Sequence, residues 1–362
     1  MNKAFKLSAF ALMLALAACQ GQEKKEAADS PKVAAQDTGK KYLAEPLIRD
    51  IFTADPSAHV FNGKIYIYPS HDIEAGIPQN DNGDHFAMND YHILSMDDVN
   101  DGKVTDHGVG LAVKDIPWAG RQLWAPDAAF KDGTYYLYFP VKDKQDIFKI
   151  GVATSKTPEG PFKAEPQPIA GSYSIDPAVF TDDDGTSYMY FGGIWGGQLQ
   201  RWKDGKKINE SKTDLEKPDE AAINCRVVKM SKDMKSFDGK VEDAVILDKD
   251  GKPLLGKDHD RRFFEGSWMH KYNGKYYLTY STGDTHFLCY AIGDKPMGPF
   301  TYGGKFMEPV EGWTTHHSII EWKGKWYIFY HDTQLSGKTH LRNIKVTALT
   351  HNADGSIALI KP

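Results

Sequence analysis

The sequence has very little cysteine. Its 362 residues contain only Cys19, Cys225 and Cys289. Apart from Cys19, two widely separated cysteines form one disulfide at most, so a small disulfide-stapled fold is excluded. A bridge between Cys225 and Cys289 is one alternative, and two buried thiols are the simpler one.

Excess positive charge and long apolar segments are also missing. The net charge is −5, with no basic stripe, which argues against a nucleic-acid partner. After residue 42 no apolar run is long enough to cross a membrane, and no stretch keeps a helical period over several turns. A helical bundle and a multi-span membrane protein are therefore both excluded.

The first 41 residues differ from the rest. Lys3 and Lys6 precede the apolar run 7–18, which is too short for a stable spanning helix and is typical of a signal peptide. The segment ending at Cys19 resembles a bacterial lipobox, although an ordinary signal with a chance cysteine is an alternative. We predict a signal peptide over 1–19, a flexible tether over 20–41 without aromatics, and one folded domain over 42–362.

These features predict a cell-envelope protein whose contact with the membrane is the lipid anchor at Cys19. Because Gln20 rather than Asp follows the cysteine, the outer membrane is favoured in a Gram-negative host. The oligomeric state is left open by the sequence.

From residue 42 onward, one pattern occurs five times. A polar residue is followed by an apolar strand, a Gly-containing turn and a Tyr-rich strand. The leading residues are Asp55, Asp127, Asp176, Glu265 and His316. The corresponding turns are Asn62-Gly63, Asp132-Gly133, Asp184-Gly185, Asn273-Gly274 and Lys323-Gly324. Repeated hairpins at this spacing predict an all-β fold, a five-bladed β-propeller, whose first strands bring the leading residues to a common centre.

Three of the leading residues suggest a chemistry. Asp55, Asp176 and Glu265 each precede an apolar strand, where an unpaired acid is costly to bury. A proline follows each aspartate, which predicts an extended backbone at the acid. Acids that meet on one axis repel each other, so their pKa values separate, as a glycosidase requires of its acid and its base. The alternative is that each acid only caps a turn.

The chain resembles glycoside hydrolase family 43, through segments that span residues 45–362. These segments are ADPSAHVFNGKIYIY, LWAPDA, SIDPAVF, FFEGSWM and HHSIIEWKGKWYIFYH. The resemblance implies that Asp55 is the general base, Glu265 the general acid, and Asp176 the residue that raises the pKa of the acid and orients it. It also implies inversion of configuration. Many members carry proline two residues after the acid, whereas this chain has Ser267.

The resemblance extends to metal and sugar contacts. His316 matches a channel histidine that in many members ligates a largely water-held calcium ion; a metal-free structural histidine is the alternative. Arg342 matches an arginine that reaches the sugar and the acids, with a surface ion pair as the alternative. No organic cofactor is predicted. The predicted sugar-binding residues are His71, Asp72, Trp124, Asp127, Ile175 and Arg342.

The resulting functional prediction is an inverting, exo-acting hydrolase. We expect it to release α-L-arabinofuranose or β-D-xylose from hemicellulose- or pectin-derived oligosaccharides. The alternatives are a catalytically inactive carbohydrate-binding propeller and a galactan- or arabinan-cleaving member of the same family. The complete set of three acids favours the enzyme, because a binding module needs no acid, base and tuning residue together.

Overall fold

The computed structural model describes residues 42–213 and 217–362, and they form an all-β structure. The predicted signal peptide, Cys19 and the tether lie outside the described residues. Within the described ranges, no helix is both long and apolar enough to cross a membrane. The helical elements found there are short 3₁₀ turns at Val113–Asp115, Trp195–Gly197, Leu199–Arg201 and Gly283–Thr285.

Five antiparallel sheets follow one another along the chain as the blades of a propeller. Blade one is β1 (Phe52–Phe61), β2 (Lys64–Asp72), β3 (Asp90–Met96) and β4 (Thr105–Ala112), paired in that order. Blade two is β5 (Ala119–Leu123), β6 (Asp127–Lys131), β7 (Thr134–Asp143), β8 (Phe148–Ser155) and β9 (Lys163–Ala164). In blade two, both β5 and β6 pair with β7.

The last three blades vary more in strand number. Blade three is β10 (Ala178–Thr181), β11 (Ser187–Phe191), β14 (Arg226–Lys229) and β15 (Glu242–Asp243), with the hairpin β12 (Trp202–Lys203) and β13 (Lys206–Lys207) in its insertion. Blade four is β17 (Glu265–Tyr272), β18 (Lys275–Ser281), β19 (Leu288–Gly293) and β20 (Phe300–Met307), with β16 (Ile246–Leu247) parallel to β20. Blade five is β21 (His317–Trp322), β22 (Lys325–Asp332) and β23 (Asn343–Leu349).

The predicted turns explain the hairpins. In four repeats the two turn residues have positive φ, 48–51° at the first and 72–74° at the glycine, as a two-residue type I′ turn requires. The third repeat differs, because β10 ends at Thr181 and β11 begins at Ser187. The five-bladed propeller predicted from the repeat is confirmed.

The two ends of the folded domain meet at blade five. The Leu47 N–H donates to the Ile344 carbonyl, and the Thr53 N–H donates to the Arg342 carbonyl, both at 2.9 Å. These bonds hold the start of β1 beside β23 and close the ring. Closure of the ring places β1, the first strand of the domain, next to β23, the last.

The core consists of apolar side chains that alternate along the strands and pack between neighbouring blades. Cys225 and Cys289 both lie in this core as free thiols, which confirms the simpler interpretation.

Candidate active site

Four of the five leading residues share one pocket. Asp55, Asp176, Glu265 and His316 line it together with Arg342. The space between the walls is about 730 Å³ when the solvent at its open mouth is included. Blades one, three and four thus each bring one carboxyl group to the same place.

The backbone at the two aspartates is not extended, so that prediction was wrong. Asp55 has φ 47° and Asp176 has φ 56°. At Asp55 the register of β1 against β2 shifts between Ala54 and Ser57, which is a bulge that re-aims the carboxylate. The Asp55 N–H donates to Nδ1 of His331 at 3.0 Å, so tertiary contacts hold a conformation that proline sterics alone do not predict.

A second bulge lies at Glu265, the first residue of β17. The register against β18 shifts between Glu265 and Trp268, and Gly266 has φ 66°. The Gly266 N–H donates to Oδ2 of Asp176 at 2.9 Å. The glycine that follows the acid therefore links Glu265 to Asp176 through the main chain.

Asp55 lies in a buried but positively charged environment. Burial alone raises the pKa of Asp55, but the charge of Arg342, two histidines and a hydrogen bond outweigh it and lower the pKa from 3.8 to about 2. Nη1 of Arg342 lies 2.9 Å from Oδ1, and the Ser70 hydroxyl donates to Oδ2 at 2.7 Å. This carboxyl group is ionised at neutral pH and suits a general base.

Glu265 has the opposite environment. Burial and then the negative charge of Asp55 raise the pKa of Glu265 from 4.5 to about 8, although Arg342 lowers it. Burial also raises the pKa of Asp176 to about 7, against the opposing effect of His316 and with a contribution from Glu265. Because repulsion acts on both members of a pair, an ionised Asp176 also favours protonated Glu265. Glu265 is thus set to donate a proton.

Arg342, directly before β23 of blade five, binds two carboxylates of blade one. Its guanidinium donates to both oxygens of Asp72, from Nη2 at 2.7 Å and from Nε at 2.8 Å. Nη1 contacts Asp55 and, at 3.1 Å, the hydroxyl of Thr314. Only 3% of the Arg342 side chain is exposed, so it is a buried clamp rather than a surface ion pair.

Three of the predicted sugar contacts do not line the pocket. Asp72 is occupied by Arg342, and His71 Nδ1 faces Asp90 at 2.6 Å. Asp127 binds the Ser57 hydroxyl, the His59 ring and the Val179 N–H. The structure therefore corrects these three predictions: Asp72 supports the site from behind, Asp127 joins three blades, and His71 belongs to a separate cluster.

His316 lies between the two aspartates. Its Nδ1 is 3.7 Å from Asp55 Oδ1 and 3.9 Å from Asp176 Oδ2. Calcium prefers six to eight oxygen ligands. Both oxygens of Asp55 already accept hydrogen bonds, so the described residues around His316 do not build a calcium cage. An ion at His316 would depend on water for most of its ligands.

The pocket wall contains predicted and unpredicted side chains. Trp124 lines it, with its indole N–H donating to the Phe86 carbonyl at 2.8 Å, and Ile175 lines it next to Asp176. Trp195 and Trp313 were missed; their rings are 5.7 Å apart at the same pocket. Trp195 has φ 56° and stands between glycine pairs in GGIWGGQ, a signal that could have revealed it.

Comparisons with known proteins agree with this geometry. The sequence model of "Glycosyl hydrolases family 43" matches residues 43–357. A xylosidase/arabinosidase of Bacteroides ovatus is 59% identical, over 90% of this chain and 98% of that protein. A β-xylosidase of Xylanibacter ruminicola is 53% identical, over 86% of this chain and 97% of that protein.

A solved structure gives the same result. It is a β-xylosidase/α-arabinofuranosidase from a compost microbial metagenome, in complex with xylotriose and in a calcium-free form. That protein is 68% identical, with a TM-score of 0.87, over 88% of this chain and 97% of the other. The chain belongs to glycosyl hydrolase family 43.

Proposed function

We propose that the protein is an inverting, exo-acting glycoside hydrolase that removes pentoses from oligosaccharide ends. The observation that carries this proposal is the pair of opposite environments in one pocket: Asp55 lies beside Arg342, whereas no cation of the described ranges forms an ion pair with Glu265. Relatives named as xylosidases and arabinosidases support pentose release. Their names favour β-D-xylose at least as strongly as α-L-arabinofuranose.

The mechanism follows from the two protonation states. Ionised Asp55 takes a proton from a water molecule as the water oxygen attacks the anomeric carbon. Protonated Glu265 gives its proton to the glycosidic oxygen as the C–O bond breaks. Asp176 fixes Glu265 through Gly266, and Arg342 keeps Asp55 charged. One displacement yields the inverted sugar.

The exo mode is supported by loops that meet across the pocket. A Cβ added to Gly196, in the irregular part of blade three, would lie 3.2 Å from the carbonyl of Asn82 in the long loop of blade one. Nη2 of Arg201 also lies 3.4 Å from Oδ1 of Asn82. Such contact narrows the site to a pocket that takes the end of a short chain.

Product analysis tests this function. Xylobiose and an arabino-oligosaccharide should each be tried, with NMR of the product before mutarotation. We expect free pentose as the first product, in the inverted anomeric form. Mixed oligomers released early from a long xylan would contradict the exo mode, and a retained anomer would contradict the single displacement.

A nitrophenyl glycoside panel identifies the sugar. We expect hydrolysis of the β-D-xylopyranoside and the α-L-arabinofuranoside, and little of the β-D-galactopyranoside. Binding of sugars without turnover on any of these would instead favour the inactive carbohydrate-binding propeller.

We further propose that lipidated Cys19 anchors the protein at the cell envelope and that His316 ligates a calcium ion held mainly by water. Cys19→Ala should move the protein to the soluble fraction. Calcium should bind the purified protein in a calorimetric titration and not bind the His316→Ala variant.

A further inference from the structure

We propose a second metal site, for a divalent transition metal of the Zn²⁺ type, formed by His71, Asp90 and His92 on blade one. One ligand atom of each residue lies within 4.8 Å of the others. His71 lies near the end of β2, and Asp90 and His92 lie at the start of the neighbouring β3. None of the three lines the catalytic pocket.

The ligand chemistry is that of a zinc-type site. Two imidazoles and one carboxylate form a mixed nitrogen and oxygen set that suits zinc and its first-row neighbours, whereas calcium and magnesium prefer oxygen alone. Each side chain is 18–26% exposed. The group is therefore sheltered but open to an ion from solvent, and water can fill the remaining coordination positions.

A fourth residue already orients one ligand. Nδ1 of His92 lies 2.8 Å from Oδ2 of Asp106 on β4, the next strand of the blade. When Nδ1 donates its proton to that carboxylate, the lone pair of Nε2 is left for a metal. A carboxylate behind a histidine is the usual support of a metal-ligating imidazole, and it fixes the tautomer.

His71 and Asp90 are close enough to share one ion. Their Nδ1 and Oδ1 atoms are 2.6 Å apart, and the His71 and His92 rings are 4.8 Å apart, edge to face. An ion would take the place of the proton between the two groups, as metal binding generally does.

The required movement is small. Ligands about 2.1 Å from a tetrahedral ion are roughly 3.4 Å from one another, so the widest present separation must close by roughly 1.4 Å. Side-chain rotation on fixed strands supplies this. His71 and Asp72 point to opposite faces of the strand. The ion therefore lies on one side of β2, and the Asp72–Arg342 clamp lies on the other.

Calorimetric titration with ZnCl₂ alone, on protein first dialysed against a chelator, tests the site. We expect one binding event per chain, lost or weakened at least about 100-fold in His92→Ala and weakened roughly 10- to 100-fold in Asp106→Asn. Zn²⁺ should also raise the Tm of the wild type but not of His92→Ala. Hydrolysis of a nitrophenyl glycoside by each variant shows that the variant is folded. If His92→Ala is not folded, His92→Gln takes its place in the titration.

Two control variants locate the ion. His316→Ala removes the pocket histidine, and His259→Ala removes an exposed histidine that contacts Asp284 and Arg262. Both should bind Zn²⁺ like the wild type. Absence of binding up to about 1 mM, or equal affinity in the wild type and His92→Ala, overturns the proposal. Loss of binding in His316→Ala assigns the ion to the catalytic pocket and equally overturns it.

Discussion

Asp55, which is buried, and Glu265, which is half-buried, are carboxyl groups of one pocket whose pKa values are shifted in opposite directions. The Asp55 carboxylate accepts hydrogen bonds from Arg342 at 2.9 Å and from Ser70 at 2.7 Å, and its pKa falls to about 2. Among the described residues no hydrogen bond reaches the Glu265 carboxyl group, and its pKa rises to about 8. Desolvation raises the pKa of both groups, so the contacts of each one decide which is the base and which is the acid.

The largest expected effect comes from neutralising the base. Asp55→Asn should lower kcat/KM by about 10³- to 10⁴-fold on every substrate, because no other ionised group takes the proton of the water. The matched control is Asp127→Asn, the equivalent repeat position outside the pocket. It should lose stability but keep most activity, so equal losses of activity in the two variants would contradict the assignment.

Neutralising the acid should give a substrate-dependent loss. Glu265→Gln should lower kcat/KM by about 10²- to 10³-fold on xylobiose but much less on a nitrophenyl glycoside, because nitrophenolate leaves without a proton. Rates on the two leaving groups, compared in the same variant, measure this. The same loss on both would argue against Glu265 as the acid.

Removing the positive charge of Arg342 should bring the pKa of Asp55 closer to that of Glu265. In Arg342→Met, burial is no longer offset, so the pKa of Asp55 rises and the acidic limb of kcat/KM moves to higher pH. Breaking the buried pair should also cost about 3–5 kcal/mol of unfolding free energy, measured in urea.

Arg342→Lys is the control for this change. It keeps the charge but loses the forked contact with Asp72, so its acidic limb should lie between those of the wild type and Arg342→Met. An unmoved limb in Arg342→Met would show that Arg342 does not set the pKa of the base.

The smallest expected effect is on the alkaline limb. The wild-type rate should fall as pH rises through about 8, where Glu265 loses its proton. Asp176→Asn removes a neighbouring negative charge, so this limb should shift to lower pH, by roughly one unit. A shift to higher pH in the pH–rate profile would contradict the proposed role of Asp176.

The fold was predictable because its signals are local. Pairs such as Asn62-Gly63 set a type I′ turn, and the alternating strands that flank them need no distant information. The three acids were found in the same way, because they occupy one position of the repeat.

The wrong or missed predictions concern residues whose contacts or backbone conformation depend on residues far away in the sequence. Asp127 occupies the same repeat position but faces Ser57 and His59 of blade one, which the repeat does not reveal. The positive φ of Asp55 depends on His331, which follows it by 276 residues. The aromatic pair Trp195 and Trp313 lies in irregular segments that lack a strand pattern.

The ring closure has a consequence for the order of events in biosynthesis. Asp55 is made early, but the guanidinium that holds it ionised follows 287 residues later, on the other side of the closure. A chain that lacks Arg342 and β23 therefore has the general base but not the arginine that holds it in place in the pocket. The pocket is therefore complete only when the last blade docks against the first.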